Sequence, residues 1–315
     1  MDRVTPPYRL NSVLTATAFA IAAIQLIIVP IALMPESGLE ADLLAATIAV
    51  LLSLTTPFNR ALLHEAIHGR MVRRRDLNVW LGRALAICSG ISFDAIRLGH
   101  MTHHRFPRHA LDRVDVIEPG MNRITATVKF YFGLVGWLYV REILSAMMML
   151  LPRPAIHWIA SRLLPDDEAM SLTLQGALRR GLDRRLSRIR LDSVLVIVVY
   201  GTAFYLYGAW WPVLLGSMAL RGLIVSLQDN VAHYDTPAVI GAPAHNSYAS
   251  RLGALFMLNS NLHGVHHDQP EVPWNKLPRA FAHAGGDYSG GYVTLLLKQF
   301  YGPVPAAKDG RKSVA

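Results

Sequence analysis

The chain has 315 residues, 52% hydrophobic and only 17% charged, with mean hydropathy +0.29. Soluble domains carry about a quarter charged residues, so this composition reads as an integral membrane protein. The net charge of +9 stands beside apolar runs and without a nucleic-acid motif, which sets nucleic acid aside in favour of anionic lipid headgroups.

In chain order, MDRVTPPYRLN leads into an apolar run over 12–34 with no small-residue cleavage site, so the run reads as a retained span rather than a signal peptide. Residues 40–58 supply a second span, and the connection PESGLEAD is short and acidic (Glu36, Glu40, Asp42). HEAIHG then brings His64 and His68, followed by Arg70, Arg73, Arg74 and Arg75. Lys and Arg concentrate in cytoplasmic loops, so these spans form a hairpin with both ends in the cytoplasm. Residues 79–98 carry Cys88, which allows no internal disulfide and no thiolate cluster and reads as a small buried apolar residue. They also carry Arg83, Asp94 and Arg97, and are expected as an interfacial or capping helix. HMTHH supplies His100, His103 and His104, with Asp112 and Asp115 after it. Residues 124–151 carry Lys129, Arg141 and Glu142; they are expected at the interface too, a tight re-entrant pair being the alternative. The basic LRRGLDRRLSRIR precedes a second hairpin, over 191–208 and 210–228, with Tyr207, Trp210 and Trp211 suited to an interfacial belt and Pro212 to a helix start. HGVHH adds His263, His266 and His267; PEVPWNKLP reads as an ordered loop in which Trp274 packs, and AAKDGRKSVA as a frayed basic tail.

The fold expected is all-α: one domain over 1–315 with no internal repeat, a four-helix bundle of two transmembrane hairpins, a histidine-rich cytoplasmic cap and interfacial helices. A multi-pass protein of a bacterial inner membrane is the placement this implies.

Eight histidines thus fall in three clusters, each at the edge of an apolar segment. Residues four apart share a helix face, so His64 and His68 aim two imidazoles at one point. The other clusters stand at i, i+3 and i+4, one stripe of a helix. Neutral imidazole is a common nitrogen ligand, and eight are too many for one tetrahedral ion, so two metals are implied. HEAIH also matches the H-E-x-x-H zinc protease motif, with Glu65 as general base. That alternative leaves five or more clustered histidines unexplained. Otherwise Glu65 orients a ligand ring or is an ordinary helix residue. His109, His157, His245 and His283 stand outside the clusters and are expected to be structural or surface residues.

H-x-x-x-H, H-x-x-H-H and H-x-x-H-H, in that order between apolar hairpins, resemble the membrane fatty acid desaturase superfamily, which includes desaturases, hydroxylases and carotenoid ketolases. The likeness covers roughly residues 40–285, with 31 residues between His68 and His100. It implies a non-haem di-iron centre, two Fe ions, on the cytoplasmic side of a four-helix bundle. It implies O2 as co-substrate and two electrons from a separate carrier of ferredoxin, rubredoxin or cytochrome type. His64, His68, His100, His103, His104, His263, His266 and His267 become ligands, and His233 in QDNVAHYDTP stands where a ninth is found. Asp112 and Asp115 fit the acidic residues that steady ligand rings, the alternative being loop charges paired with Arg108 or Arg113. Asn230 or Asp229, and less directly Asn261 and Asn259, are candidates to assist.

Such chemistry suits a lipid or acyl chain reaching the metal from the bilayer. Desaturation leads; hydroxylation or ketone formation on a lipid, carotenoid or other isoprenoid is the alternative. A substrate tunnel is expected, with LLGSMALRG and KFYFGLVGW as lining or as plain helix packing. Arg70, Arg73, Arg74, Arg75, Arg179, Arg180, Arg184 and Arg185 are expected to dock an acidic carrier or anionic headgroups, or simply to mark the inner face.

Overall fold

The computed structural model describes residues 5–32, 38–163 and 169–306. Residues 33–37 of the acidic turn and the basic tail from 307 lie outside the described residues. Helix α1 (Tyr8–Ala32) is long and apolar enough to span a membrane, and is free of Gly. One turn, Ile24–Ile28, is π-helical. Pro30 follows it and has no N–H to continue the regular ladder. The Gln25 carbonyl accepts from Tyr207 Oη at 2.7 Å. Tyr207 is therefore buried at 1% exposure inside the bundle, not in an interfacial belt, whereas Trp211 is half exposed.

Helices α2 (Leu39–Ser53) and α3 (Thr56–Ile67) are together long and apolar enough for one span and are bent by 40°, with Pro57 in the first turn of α3. The chain reverses before them. Gln25 Nε2 reaches Ser53 Oγ at 3.4 Å, and Asn11 Nδ2 donates to the Arg70 carbonyl at 3.2 Å.

The stretch 79–98 does not lie flat as one interfacial helix. Helices α4 (Arg75–Cys88) and α5 (Phe93–Arg105) meet at 102°. Gly90 turns their apex with φ 78. That apex is drawn among the spans: Tyr200 Oη donates to Cys88 O at 2.9 Å and Tyr139 Oη to Ser89 O at 2.5 Å. Two of the charges that argued for an interface, Arg83 and Asp94, are neutralised by each other and by Asp192. Arg83 lies 2.8 Å from Asp94 Oδ2 and 2.5 Å from Asp192 Oδ1, and Ser92 Oγ donates to Asp192 at 2.9 Å.

Residues 124–151 fold back on themselves as a pair of helices. Helix α6 (Arg123–Phe132) passes Phe130 beside Tyr234, with ring centroids 5.9 Å apart. At Gly136, φ 116 breaks the helix, and a Cβ there would lie 3.4 Å from the Gly222 backbone. Helix α7 (Leu138–Met148) then returns, and Glu142 meets Arg60, which also holds Asp229. The chain thus moves from the level of Tyr234 to that of Gly222 and back to that of Asp229.

After α8 (Arg153–Leu163) comes the second hairpin, α9 (Ala169–Tyr207) and α10 (Trp211–Val231), with Pro212 in the first turn of α10. Gly208, φ 51, turns it. Arg221 Nη1 donates to Tyr200 Oη at 2.8 Å. In one straight helix those residues would stand about 30 Å apart. Val13, Ile27, Leu43, Leu51, Ile197 and Val198 are each at least half exposed on the outward faces of these helices. Hydrocarbon, not water, suits such a surface.

The remaining chain caps one end of the bundle. Four two-residue strands, β1 (Val116–Ile117), β2 (Ser247–Tyr248), β3 (Gly290–Gly291) and β4 (Val304–Pro305), pair in parallel as β1–β4 and β2–β3. Between them run short helices α11 (Arg251–Phe256), α12 (His263–Asp268), α13 (Leu277–His283) and α14 (Tyr292–Lys298). Trp274 is buried and donates to Asn11 Oδ1 at 2.9 Å, tying the cap to α1. Asp192→Ala leaves Arg83 with Asp94 alone and Ser92 Oγ without its acceptor. A loss of about 1–3 kcal/mol is expected, read as a fall in unfolding midpoint of the purified chain.

Candidate metal centre

Nine histidine rings gather at the capped end of the bundle, in two groups. The first is His64, His68, His100, His104 and His266; the second is His103, His233, His263 and His267. Within each group one ligand atom per residue lies within 4.8 Å of all the others. The groups adjoin, since His104 of the first stacks on His267 of the second at 4.4 Å.

Helix geometry explains the partition. His100 and His104 are four apart on α5 and serve the first group, while His103 points to the second. On α12, His263 and His267 are four apart and serve the second group, while His266 points to the first. Each i, i+3, i+4 cluster was expected as one stripe; the i+3 and i+4 rings instead stand about 100° apart on the helix and divide between two centres. His64 and His68 come from the end of α3, and His233 from the turn just after α10.

The fatty acid desaturase family model matches residues 41–295. The chain belongs to the fatty acid desaturase family. No curated protein matches it. Family and histidine groups together make this a membrane oxidoreductase of the desaturase and hydroxylase type, with clusters that could bind metal. The matched residues run from α2 into α14 and include all nine rings.

The donor set of this desaturase-family chain fits metal ions on three observations. First, Nε2 atoms face one another: His68 and His100 at 2.9 Å, His104 and His100 at 3.0 Å, His266 and His104 at 3.0 Å. In the second group His103 stands 3.1 Å from both His233 and His267, and His267 stands 3.1 Å from His263. Ligands about 2.1 Å from an ion and at right angles to each other are spaced by about 3 Å. Second, His64 Nε2 is buried among them with no hydrogen-bond partner. Third, burial favours the neutral ring, the form that binds metal. Burial, then the neighbouring rings, holds His233, His266 and His267 below the ordinary histidine value and brings His263 down to about 3.

The residues expected to orient the rings have different fates. Asp112 does so: its Oδ2 lies 2.8 Å from His103 Nδ1, which leaves Nε2 aimed into the site, and it also accepts from Arg108 N at 3.1 Å. Burial works to raise the Asp112 carboxyl, but His103 and Arg108 outweigh it and hold it below the ordinary value. Asp115 meets no ring. It is fully buried and paired with Arg108 at 2.6 Å, and it accepts from Asp235 N at 2.9 Å. Arg108, itself 1% exposed, also donates to Thr236 O, so the pair fastens the loop carrying His233 to the loop after α5. Glu65 turns to Arg70 at 3.5 Å, Asn230 bonds to Gln299, Asn261 to Ser247, Asn259 to Trp274 and Asp229 to Arg60. Arg70 is buried and donates to Val272 O, so it leaves the basic face, whereas Arg73, Arg74, Arg75, Arg179, Arg180 and Arg184 are exposed. Cys88 is a half-buried free thiol.

Sequence reasoning missed Asn246, whose Oδ1 accepts from Val265 N at 3.0 Å and seats α12. A Cβ at Gly264 would come within 2.6 Å of Ala244 O, so the glycine of the third cluster lets α12 pack on that strand of chain. No spacing marks Asn246. The Arg60–Glu142–Asp229 contacts beneath the site were also missed; charges inside apolar segments are the signal that reveals them.

His103→Ala is expected to lose metal from the second group, whereas His283→Ala, on an exposed ring, keeps the wild-type metal content; elemental analysis per chain checks both. Asp112→Asn keeps the ring but frees its orientation. Affinity for metal is expected to fall by about 10–100-fold in chelator competition.

Proposed function

We propose that this chain is an O2-dependent di-iron oxidoreductase that acts on an aliphatic chain drawn from the bilayer, desaturating it. The two adjoining histidine groups, five rings and four, at the end of an apolar bundle carry this reading. His64, His68, His100, His104 and His266 would hold one iron, and His103, His233, His263 and His267 the other. When bound, the iron pair would supply, with O2, the oxidising power that a saturated C–H bond needs and that side-chain acid–base chemistry lacks.

The chain's own residues hold and orient. Asp112 sets the tautomer and aim of His103. Arg108 and Asp115 fix the His233 turn. A narrow cleft between α1, α3, the V apex, α7 and α10 reaches Arg60, one helical turn before His64. Its Ala18, Ile21, Leu85, Ile91 and Val225 walls offer an apolar path that excludes water. Position of the chain in that path decides whether two hydrogens are lost or an oxygen is inserted. The exposed arginines would face the cytoplasm and dock a separate acidic carrier that supplies the electrons.

Support against a zinc protease comes from Glu65. Its carboxylate lies under the cap beside Arg70 and is 2% exposed, away from any water that a general base would activate.

Expression in a lipid-producing host, followed by mass spectrometry of the extracted lipids, tests the proposal. A product about two mass units lighter than its precursor is expected, absent with His103→Ala. A gain of about sixteen would replace desaturation by hydroxylation on the same scaffold, and an unchanged lipid profile with zinc bound would sink both.

A further inference from the structure

The last helix of the cap, α14, buries one face and leaves an apolar one uncovered. Inward, Leu295 and Gln299 are buried. Gln299 Nε2 donates to the Leu227 carbonyl of α10 at 3.1 Å, and its Oε1 accepts from Asn230 Nδ2 at 2.7 Å. The tight helical turn that follows, Gln299–Tyr301, is fastened beside it. Phe300 O accepts from Tyr131 Oη of α6 at 2.8 Å, and Gly302 O accepts from Tyr234 Oη at 2.7 Å. Outward, Val293 and Leu297 are four apart and form one stripe, which Phe300 and Tyr301 continue. Val293 is 66% exposed, Leu297 57% and Tyr301 87%. Lys298 turns its ammonium to Asp235 at 2.7 Å, so its charge is drawn off the stripe.

Single exposed apolar residues are ordinary, but a contiguous patch marks a surface that something covers. Two features identify the cover. The first is depth. The bonds of Gln299 and Gly302 fix this segment to Leu227, Asn230 and Tyr234, where the apolar run of α10 gives out. Those seven residues extend at most about 10 Å along the helix direction. The interfacial layer of a bilayer adds roughly 5–8 Å beyond the hydrocarbon on each side, so the segment lies at its level. The second is continuity. Helix α6, to which Phe300 is bonded, has an outward stripe of its own, Ile124, Val128 and Phe132, each more than half exposed. That helix runs from the cap toward Gly136, which meets Gly222 in the middle of α10. The uncovered face of α14 thus adjoins one that descends beside the apolar helices.

We propose that α14 and the turn after it form a membrane-contact element, with Val293, Leu297, Phe300 and Tyr301 lying in the headgroup and upper acyl layer of the leaflet on the capped side. The partner that covers the stripe is lipid. Aromatic rings suit that layer, and a tyrosine brings an apolar body with a polar tip. Such a helix adds apolar contact without spanning. The contact bears on the metal centre, because Asn230, Tyr234 and Asp235, all bonded to residues 298–302, bracket His233. The bilayer therefore helps to hold the turn that brings one ring to the second group. This holds whether or not the chain oxidises lipid.

The test uses the full iron-loaded chain in phosphatidylcholine nanodiscs. Cys88, the sole thiol, is replaced by Ala, and one new thiol carries a fluorophore. Leu297→Cys and Tyr301→Cys probe the stripe. Ile197→Cys reports the outward face of a long apolar helix, and His283→Cys the open surface of the cap. Two quenchers are compared, iodide in the buffer and phospholipid bearing a nitroxide high on its acyl chain. Labels on Leu297→Cys and Tyr301→Cys are expected to be quenched by the nitroxide lipid and to lose most of the iodide quenching seen at His283→Cys. Iodide quenching equal to that at His283→Cys overturns the proposal, since the stripe then faces water. Protection from both quenchers overturns it too, since protein then covers the stripe, from a second copy or from the same chain. Should either variant fail to fold, Val293→Cys takes its place and is read in the same way.

Discussion

Nine imidazoles can share so small a volume only if they are uncharged and if something other than one another occupies their lone pairs. A protonated ring among them would meet like charge on several sides and lose its water as well. The fold accepts this concentration of unsatisfied nitrogen because four separate stretches of chain deliver rings to one end of the bundle, and polar contacts brace three of them. Asp112 grips His103, the Arg108–Asp115 pair grips the His233 turn, and Asn246 grips α12. The helix ends that carry the rings are thus held by polar contacts of their own, so the arrangement does not depend on the rings attracting each other.

The rest of the bundle follows a second rule: no charge enters the apolar region without company. Arg83 is matched by Asp94 and Asp192, and Arg60 by Glu142 and Asp229. These pairs let two polar-tipped elements, the V of α4 and α5 and the pair α6 and α7, push between the long apolar helices. Their tips leave space around Cys88, Tyr139 and Arg221. Re-entry, rather than the spans themselves, shapes the interior. Arg221 is held instead by neutral partners, Tyr200, Tyr139 and Gln25.

Much of this was legible in the sequence. The apolar segments and the placement of every clustered histidine at one end follow from hydropathy, basic loops and spacing, while His233 follows only from the family resemblance. Less was legible where local signals compete with tertiary ones. Arg83, Asp94 and Glu142 read as reasons to keep their segments at the surface, because a single segment does not reveal the partner that neutralises it. Tyr207 reads as interfacial because nothing in its neighbourhood announces a freed carbonyl on α1. The division of the i, i+3, i+4 clusters between two centres was open to simple angular reasoning on a helix. Asp115 and Glu65 look alike as candidates in sequence; only their partners, Arg108 and Arg70, set them apart from Asp112.

The order in which the two centres draw on the chain has a bearing on biogenesis. Four of the five rings of the first group come from residues 64–104, already present when the first third of the polypeptide has left the ribosome. Three of the four rings of the second group come from residues 233–267, and the parallel pairing of Val116–Ile117 with Val304–Pro305 closes the cap only near the end of translation. Full occupancy is therefore a late event, after the spans have inserted, and a nascent chain stalled midway would present one incomplete nest of donors with nothing above it to shut out water.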